Sequence, residues 1–217
     1  MTSCGTTFSS GFDLRTVKEQ DASAQTDEVA VLESLINRLA PSRLITIAAL
    51  NGLAIGGASD LVLACDLRIA TSAAGIRMPA ALLGIPLYLG ALRRYLLAFG
   101  SARGKHLIFT GTPAYAEELL SLGIVSEIVP PERLESRALE LAKFLSSMPP
   151  LPLQAMKQAV DGLAHGAFDD SRLRIALEQA FDGQQIIRLI EAAHRPTRPS
   201  PFGSRSSSQY RDSEKCA

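Results

Sequence analysis

Asn51-Gly52-Leu53-Ala54-Ile55-Gly56-Gly57-Ala58-Ser59-Asp60 sets two adjacent glycines before a helical pattern, with a carboxylate just beyond them. Glycines at the start of a helix leave backbone N–H groups uncovered by any Cβ, and the helix N-terminus adds partial positive charge there. An oxyanion at that point would meet a preorganised donor, and one such donor contributes about 2.7–4 kcal/mol in a transition state. The glycines fit a second reading equally well, in which they only let a helix and a strand pack closely. Upstream, Phe8-Ser9-Ser10-Gly11-Phe12-Asp13-Leu14 holds another glycine turn. Taken alone, a Ser-Gly pair is common loop punctuation.

Other reactive side chains form no recognisable constellation. His106, His165 and His194 have no Cys, Asp or Glu at metal-ligand spacing, so no metal site is expected, and no Ser-His-Asp arrangement is visible. Cys4, Cys65 and Cys216 are odd in number and far apart, which predicts free thiols and a reducing compartment. Arg93-Arg94 and Arg103-Lys105 read as solvated helix faces.

The elements that must position the glycine turns follow from periodicity. Val29, Leu32, Leu35, Ile36 and Leu39 recur at helical spacing, with Asp27 and Glu28 in the first turn and Pro41 as the stop. Leu44 to Ala48 is a short apolar run rich in β-branched residues and predicts a buried strand. Asn51-Gly52 marks a turn, Ala58 to Cys65 a helix and Asp66 to Ala70 the next strand. Thr112-Pro113 reads as an N-cap with proline in the first turn, and Gly123 as the stop. Ile124-Val125 and Ile128-Val129 predict another strand. From Leu134 the pattern is helical, with further helices over Pro149 to Leu163 and Ser171 to Ala193. The implied organisation is an α/β core over residues 1–133, a helical region over 134–195 and a polar arm over 196–217.

With 217 residues, 47% of them hydrophobic, the chain can bury one sizeable core. Lys and Arg total 22 against 22 Asp and Glu, a balance that argues against a nucleic-acid binder. No basic and apolar leader opens the chain, so a cytoplasmic location is expected. Leu44 to Cys65 is long and apolar, but Asn51, Ser59 and Asp60 interrupt it. A central Asp costs roughly 2.5–3.5 kcal/mol on insertion scales, so no membrane span is expected.

The two glycine turns together resemble the signature of the crotonase (enoyl-CoA hydratase/isomerase) superfamily: an F-x-x-G-x-D-L block, then N-G-x-A-x-G-G-x-x-(E/D)-L. The resemblance continues through Ala64 to Ala70, Leu83-Gly84-Ile85-Pro86, Phe109 to Glu117 and Leu122 to Val125. It reaches His194-Arg195-Pro196 and Phe202, so that it covers roughly residues 6–203. It implies a ββα spiral core with a C-terminal helical region, an acyl-CoA thioester as ligand and no cofactor beyond the CoA of the substrate. It further implies a homotrimer or hexamer, and oxyanion donors at Ser10 and Gly57. Ser9, Gly11, Asp13, Gly56, Ala80 and Leu83 fall at substrate-binding positions. Arg93-Arg94 and Arg103-Lys105 gain a second reading, as partners of CoA phosphates.

Departures from the family pattern shape the expected reaction. Family hydratases hold a water between two glutamates, and here the first maps onto Asp60 and the second onto Ala80, which cannot move a proton. A general acid–base group supplies 10²–10⁴-fold, so efficient hydration is not expected. Loss of CO₂ from a malonyl-type thioester leans mainly on the oxyanion hole. Leu83 to Gly90 is most similar to the methylmalonyl-CoA decarboxylase branch, which has a tyrosine directly after the proline. Here Leu87 holds that place and Tyr88 follows, either as a weak acid or as a partly buried packing residue. The leading expectation is therefore a decarboxylase-like lyase using Ser10, Gly57, Asp60 and Tyr88. The alternatives are a hydratase or isomerase working through Asp60 alone, and an inactive binding subunit. Family members begin with strands ahead of the first glycine block, which here starts almost at Met1, so those strands are expected to be missing.

Overall fold

β2 (Ile47–Leu50) is apolar throughout because both of its faces are covered. Successive side chains of a strand point to opposite faces, so Ala48 and Leu50 enter the main core while Ala49 enters a second cluster with Ile69, Leu134 and Leu141. β2 pairs in parallel with β4 (Leu67–Ala70), from Ile47 opposite Leu67 to Leu50 opposite Ala70. The computed structural model describes residues 1–13, 22–165 and 169–193. His194, Phe202 and the arm over 196–217 lie outside the described residues, as does Cys216.

A second sheet has the order β1 (Thr7–Ser9), β3 (Leu53–Ile55), β5 (Gly75–Arg77), β6 (Ala114–Tyr115), with only the last pairing antiparallel. The chain therefore alternates between sheets. The Asn51-Gly52 turn carries it from β2 to β3, helix α2 (Gly57–Leu63) returns it to β4, and β5 follows in the other sheet. This is the ββα spiral expected from the sequence. Helix α1 (Ala22–Leu39) buries Ile36, and α3 (Leu89–Thr110) places Tyr95, Phe99 and Leu107 in the main core. Gly100, at φ 70° and ψ 165°, breaks α3 into two helical stretches.

Short α4 (Ala116–Ser121) is followed by α5 (Leu134–Ser146), whose Leu134 and Leu141 cover the β2–β4 sheet. Beyond it come α6 (Pro150–His165), α7 (Asp170–Gln179) and α8 (Gly183–Ala193), so the long C-terminal helical pattern divides near Ala180. Lys157, 8% exposed, ties α6 to the sheet by donating to Asp66 Oδ2 at 2.7 Å and to Leu44 O at 3.0 Å. Among the described residues no helix is long and apolar enough to cross a membrane.

Three local expectations are corrected. The strand predicted from Leu44 begins at Ile47, because Thr46 N–H and Oγ1 donate to Asp66 Oδ2 at 2.6 and 2.7 Å and Leu44 is exposed. Thr112 does not cap a helix. Its hydroxyl and N–H both meet Thr110 Oγ1 at the end of α3, Ala114-Tyr115 pair with β5, and α4 starts at Ala116. Ile124 to Val129 is not a strand but a loop with a single bridge, Ala70 to Ile128. Its first residues bond away from the sheet, with Ile124 and Val125 N–H donating to Leu119 O at 2.8 and 3.2 Å and Arg68 Nε to Ile124 O at 2.6 Å, while Ser126, Glu127 and Val129 still bond the β4 backbone.

Candidate active site

Parallel pairing of β1 with β3 sets the C-terminal ends of the two strands side by side, which brings the two glycine turns together. Gly11, at φ 86°, leans on the second turn so closely that a Cβ there would lie 2.5 Å from Ile55 O and 3.5 Å from Gly57 N. Only glycine fits such an approach. Ser9 Oγ accepts the Gly11 N–H at 3.2 Å and fixes the first turn from below. Gly56, at φ 59°, donates its N–H to Arg77 O at 2.8 Å, while its carbonyl accepts Ser59 N–H and Oγ at 2.9 and 2.6 Å. Gly57 opens α2, and its N–H has no acceptor among the described residues. Leu32 Cδ2 and Phe12 Cε2 would lie 2.6 and 3.3 Å from a Cβ on Gly57. The close-packing reading of the glycine pair therefore holds at Gly57, and its N–H is left without an acceptor among the described residues.

Gly57 lies on the wall of a cavity of about 210 Å³ bordered also by Ser10, Gly56, Asp60, Ala80, Leu83 and Tyr88. The rest of its lining is apolar, with Phe12, Leu32, Met78 and Leu87 among it. The cavity thus gathers the candidate catalytic residues and three of the candidate binding residues. Ser9 and Gly11 support it without lining it, and Asp13 is exposed. Ala80 begins a short 3₁₀ turn, Ala80–Leu83, and is 8% exposed. Asp60 is the only carboxylate among the described lining residues.

Asp60 is 1% exposed and heavily bonded. Arg94 Nε donates to Oδ1 at 2.7 Å and Arg94 Nη2 to Oδ2 at 2.7 Å, while the Tyr88 hydroxyl donates to Oδ2. The Arg94 guanidinium also sits 5.9 Å from the Tyr88 ring centre. Burial acts to lower the Arg94 pKa, but the hydrogen bond and charge of Asp60, with help from Tyr88, more than offset it and raise it. Burial first, then the bond and charge of Asp60, raise the Tyr88 phenol well above its ordinary value, with Arg94 opposing. Beside this group Ser59 Oγ meets the Tyr95 hydroxyl at 2.6 Å, and burial raises the Tyr95 phenol strongly too.

Sequence reasoning missed Arg94. Of the adjacent pair, Arg93 is exposed as expected, but Arg94 is 9% exposed and belongs to the site. The signal lay in the helical spacing: Ala91, Arg94, Tyr95, Ala98 and Phe99 share one face, and its other members are apolar. Arg103 is engaged with Glu118 Oε2 at 2.8 Å. Cys65 is buried, which raises its thiol pKa, and Cys4 is exposed; both are free thiols. Among the described residues no group of three His, Cys, Asp or Glu is placed to hold a metal ion.

A two-sheet ββα spiral with paired glycine turns over an apolar cavity defines a crotonase-fold α/β protein. Residues 1–179 match the family model for enoyl-CoA hydratase/isomerase, and the chain belongs to that family. It is 32% identical over 154 residues to the short-chain-enoyl-CoA hydratase of Clostridium acetobutylicum, covering 71% of this chain and 59% of that relative. To the short-chain-enoyl-CoA hydratase of Clostridioides difficile it is 37% identical over 142 residues, covering 65% of this chain and 89% of that one. Its fold is similar to the crystal structure of an enoyl-CoA hydratase from Bacillus anthracis, with TM-score 0.78 and 26% identity over 93% of this chain and 80% of that one. The chain spans 59% of the length of the first of these relatives. These likenesses lend no support to the methylmalonyl-CoA decarboxylase branch, and they favour the hydratase/isomerase alternative over a decarboxylase-like lyase.

Proposed function

We propose that the protein binds an enoyl-CoA thioester in the cavity beside Gly57 and catalyses proton transfer through Asp60 alone, as an isomerase does. The observation that carries this reading is the open Gly57 N–H and the Asp60 carboxylate on one apolar cavity that has no second carboxylate among its described lining residues. In the proposed step an Asp60 oxygen takes a proton from the α-carbon. The electron pair moves onto the thioester oxygen, which accepts the N–H of Gly57 and, by the family resemblance, that of Ser10. The same carboxylate then returns the proton at the γ-carbon, moving the double bond into conjugation. One acid–base group suffices for such a shift, whereas hydration needs water activated and carbon protonated at once. Gly56, Ala80 and Leu83 line the acyl end, with Ser9 and Gly11 holding the first turn. No cofactor beyond the CoA of the substrate is called for.

The test is turnover of β,γ-enoyl, α,β-enoyl and malonyl-type thioesters in parallel. Isomerisation well above hydration and CO₂ release supports the reading, whereas CO₂ release as the leading activity restores the decarboxylase-like lyase. A second reading, an inactive thioester-binding subunit, draws on the three hydrogen bonds that already engage Asp60. It predicts binding without turnover of any of the three. We further propose a homotrimer or hexamer, in line with the exposed Leu151, Met156, Val160 and Leu163 of α6.

A further inference from the structure

An arginine stands on the buried face of α3 where every neighbour at helical spacing is apolar. Burying a charge pair is not in itself a stabilising choice, since well-packed apolar side chains of similar volume often do as well or better. The position of Arg94 therefore asks for a reason, and its contacts supply one. A planar guanidinium meeting a carboxylate through two parallel hydrogen bonds fixes both the distance and the plane of its partner. Here those bonds run from Nε to Oδ1 and from Nη2 to Oδ2, each 2.7 Å. Asp60 has little else to orient it, because its short side chain rises from the first turn of α2 and its one other side-chain bond among the described residues comes from Tyr88 on a loop. The bonds are also unequal: among the described residues Oδ2 takes two donors and Oδ1 takes one. Of the two oxygens, Oδ1 keeps more capacity to accept a substrate proton.

We propose that Arg94 is the positioning residue of this site: its fork turns the Asp60 carboxylate so that Oδ1 is presented for proton transfer. This rests on the proton-transfer reading above. Arg94 does not touch the reacting atoms and acts through Asp60. A substrate proton arriving at Oδ1 is held beside the guanidinium and leaves again to the γ-carbon, so Arg94 gains and loses nothing in the cycle. A groove of about 290 Å³ bordered by Asn37, Gly90, Arg93 and Asp161 also borders Arg94 and gives a small cation a route to the place of its side chain.

The test uses the full chain with β,γ-hexenoyl-CoA. Arg94→Lys keeps the charge and loses the fork, and it is expected to lower kcat roughly tenfold to a hundredfold with KM within about threefold, the scale set by a small misplacement of a reacting group. Arg94→Ala is expected to be slower still, and added methylguanidinium, but not methylammonium, is expected to restore kcat. Circular dichroism and thioester binding are followed alongside. Rescue by the guanidinium alone supports positioning, because a merely structural loss would recover with neither ion. A folded Arg94→Ala that binds thioester but is not rescued overturns the inference, as does Arg94→Lys with the kcat of the natural chain. If Arg94→Ala does not fold, the kcat of Arg94→Lys decides between these outcomes. A natural chain that binds the thioester without isomerising it overturns the functional reading first, and this inference with it.

Discussion

Arg94 and Asp60 face each other through two hydrogen bonds of 2.7 Å, with 9% and 1% of their side chains exposed, so both charges lie largely out of water. Removing one member of such a pair leaves the other buried and uncompensated. Asp60→Ala is therefore expected to destabilise the fold by about 3–5 kcal/mol, while an apolar double replacement, Asp60→Leu with Arg94→Met, recovers most of that. Urea unfolding of the natural chain and the two variants checks it, and a double replacement no more stable than Asp60→Ala would contradict it.

The open N–H of Gly57 gives a second expectation. Gly57→Pro removes that donor at the first position of α2, where a helix tolerates proline. Turnover is expected to fall by about 10²–10³, the loss typical of one oxyanion donor. Gly57→Ala serves as the control, because it adds the Cβ that would crowd Leu32 but keeps the N–H. Equal losses in the two variants would assign the effect to packing and not to the donor.

Ala80 leads to a third. Crotonyl-CoA hydration by the natural chain is expected to stay near background, since Ala80 lines the cavity where a second acid–base group would act. Ala80→Glu is expected to raise hydration by about a hundredfold, at the low end of what such a group contributes. The measurement is loss of enoyl-thioester absorbance, and rapid hydration by the natural chain would refute the single-carboxylate reading.

Alkaline stability follows from the two buried phenols. Tyr88 and Tyr95 both have their pKa raised, chiefly by burial, so the folded chain keeps those protons at a pH where the unfolded chain loses them. When the folded state binds more protons, stability falls as pH rises, and the fall begins near the free phenol value of about 10. Urea unfolding from neutral pH to above that value is expected to show the loss, and Tyr88→Phe is expected to flatten it.

The exposed leucines, Met156 and Val160 of α6 lead to the last expectation, a stable oligomer by light scattering at micromolar concentration. A monomer under those conditions would remove the trimer proposal.

Residue types and spacing alone determined the two glycine turns, the carboxylate at Asp60, the alanine at position 80, the helix before Pro41 and the alternation of strand and helix. These are local properties: a φ that only glycine adopts readily, a β-branched run and an apolar face at helical spacing can all be read from neighbours in the chain. Tertiary structure decided the rest, because it depends on partners far apart in sequence. Thr46 leaves the predicted strand for Asp66, and Ile124 gives its carbonyl to Arg68, 56 residues away in sequence. The parallel pairing of β1 with β3 brings Gly11 against Gly57. Above all, whether Asp60 is a free acid or one end of a buried ion pair depended on which of two adjacent arginines α3 turns inward. The side of a helix that faces the core is set by packing against other elements, and packing placed Arg94 inside and Arg93 in water.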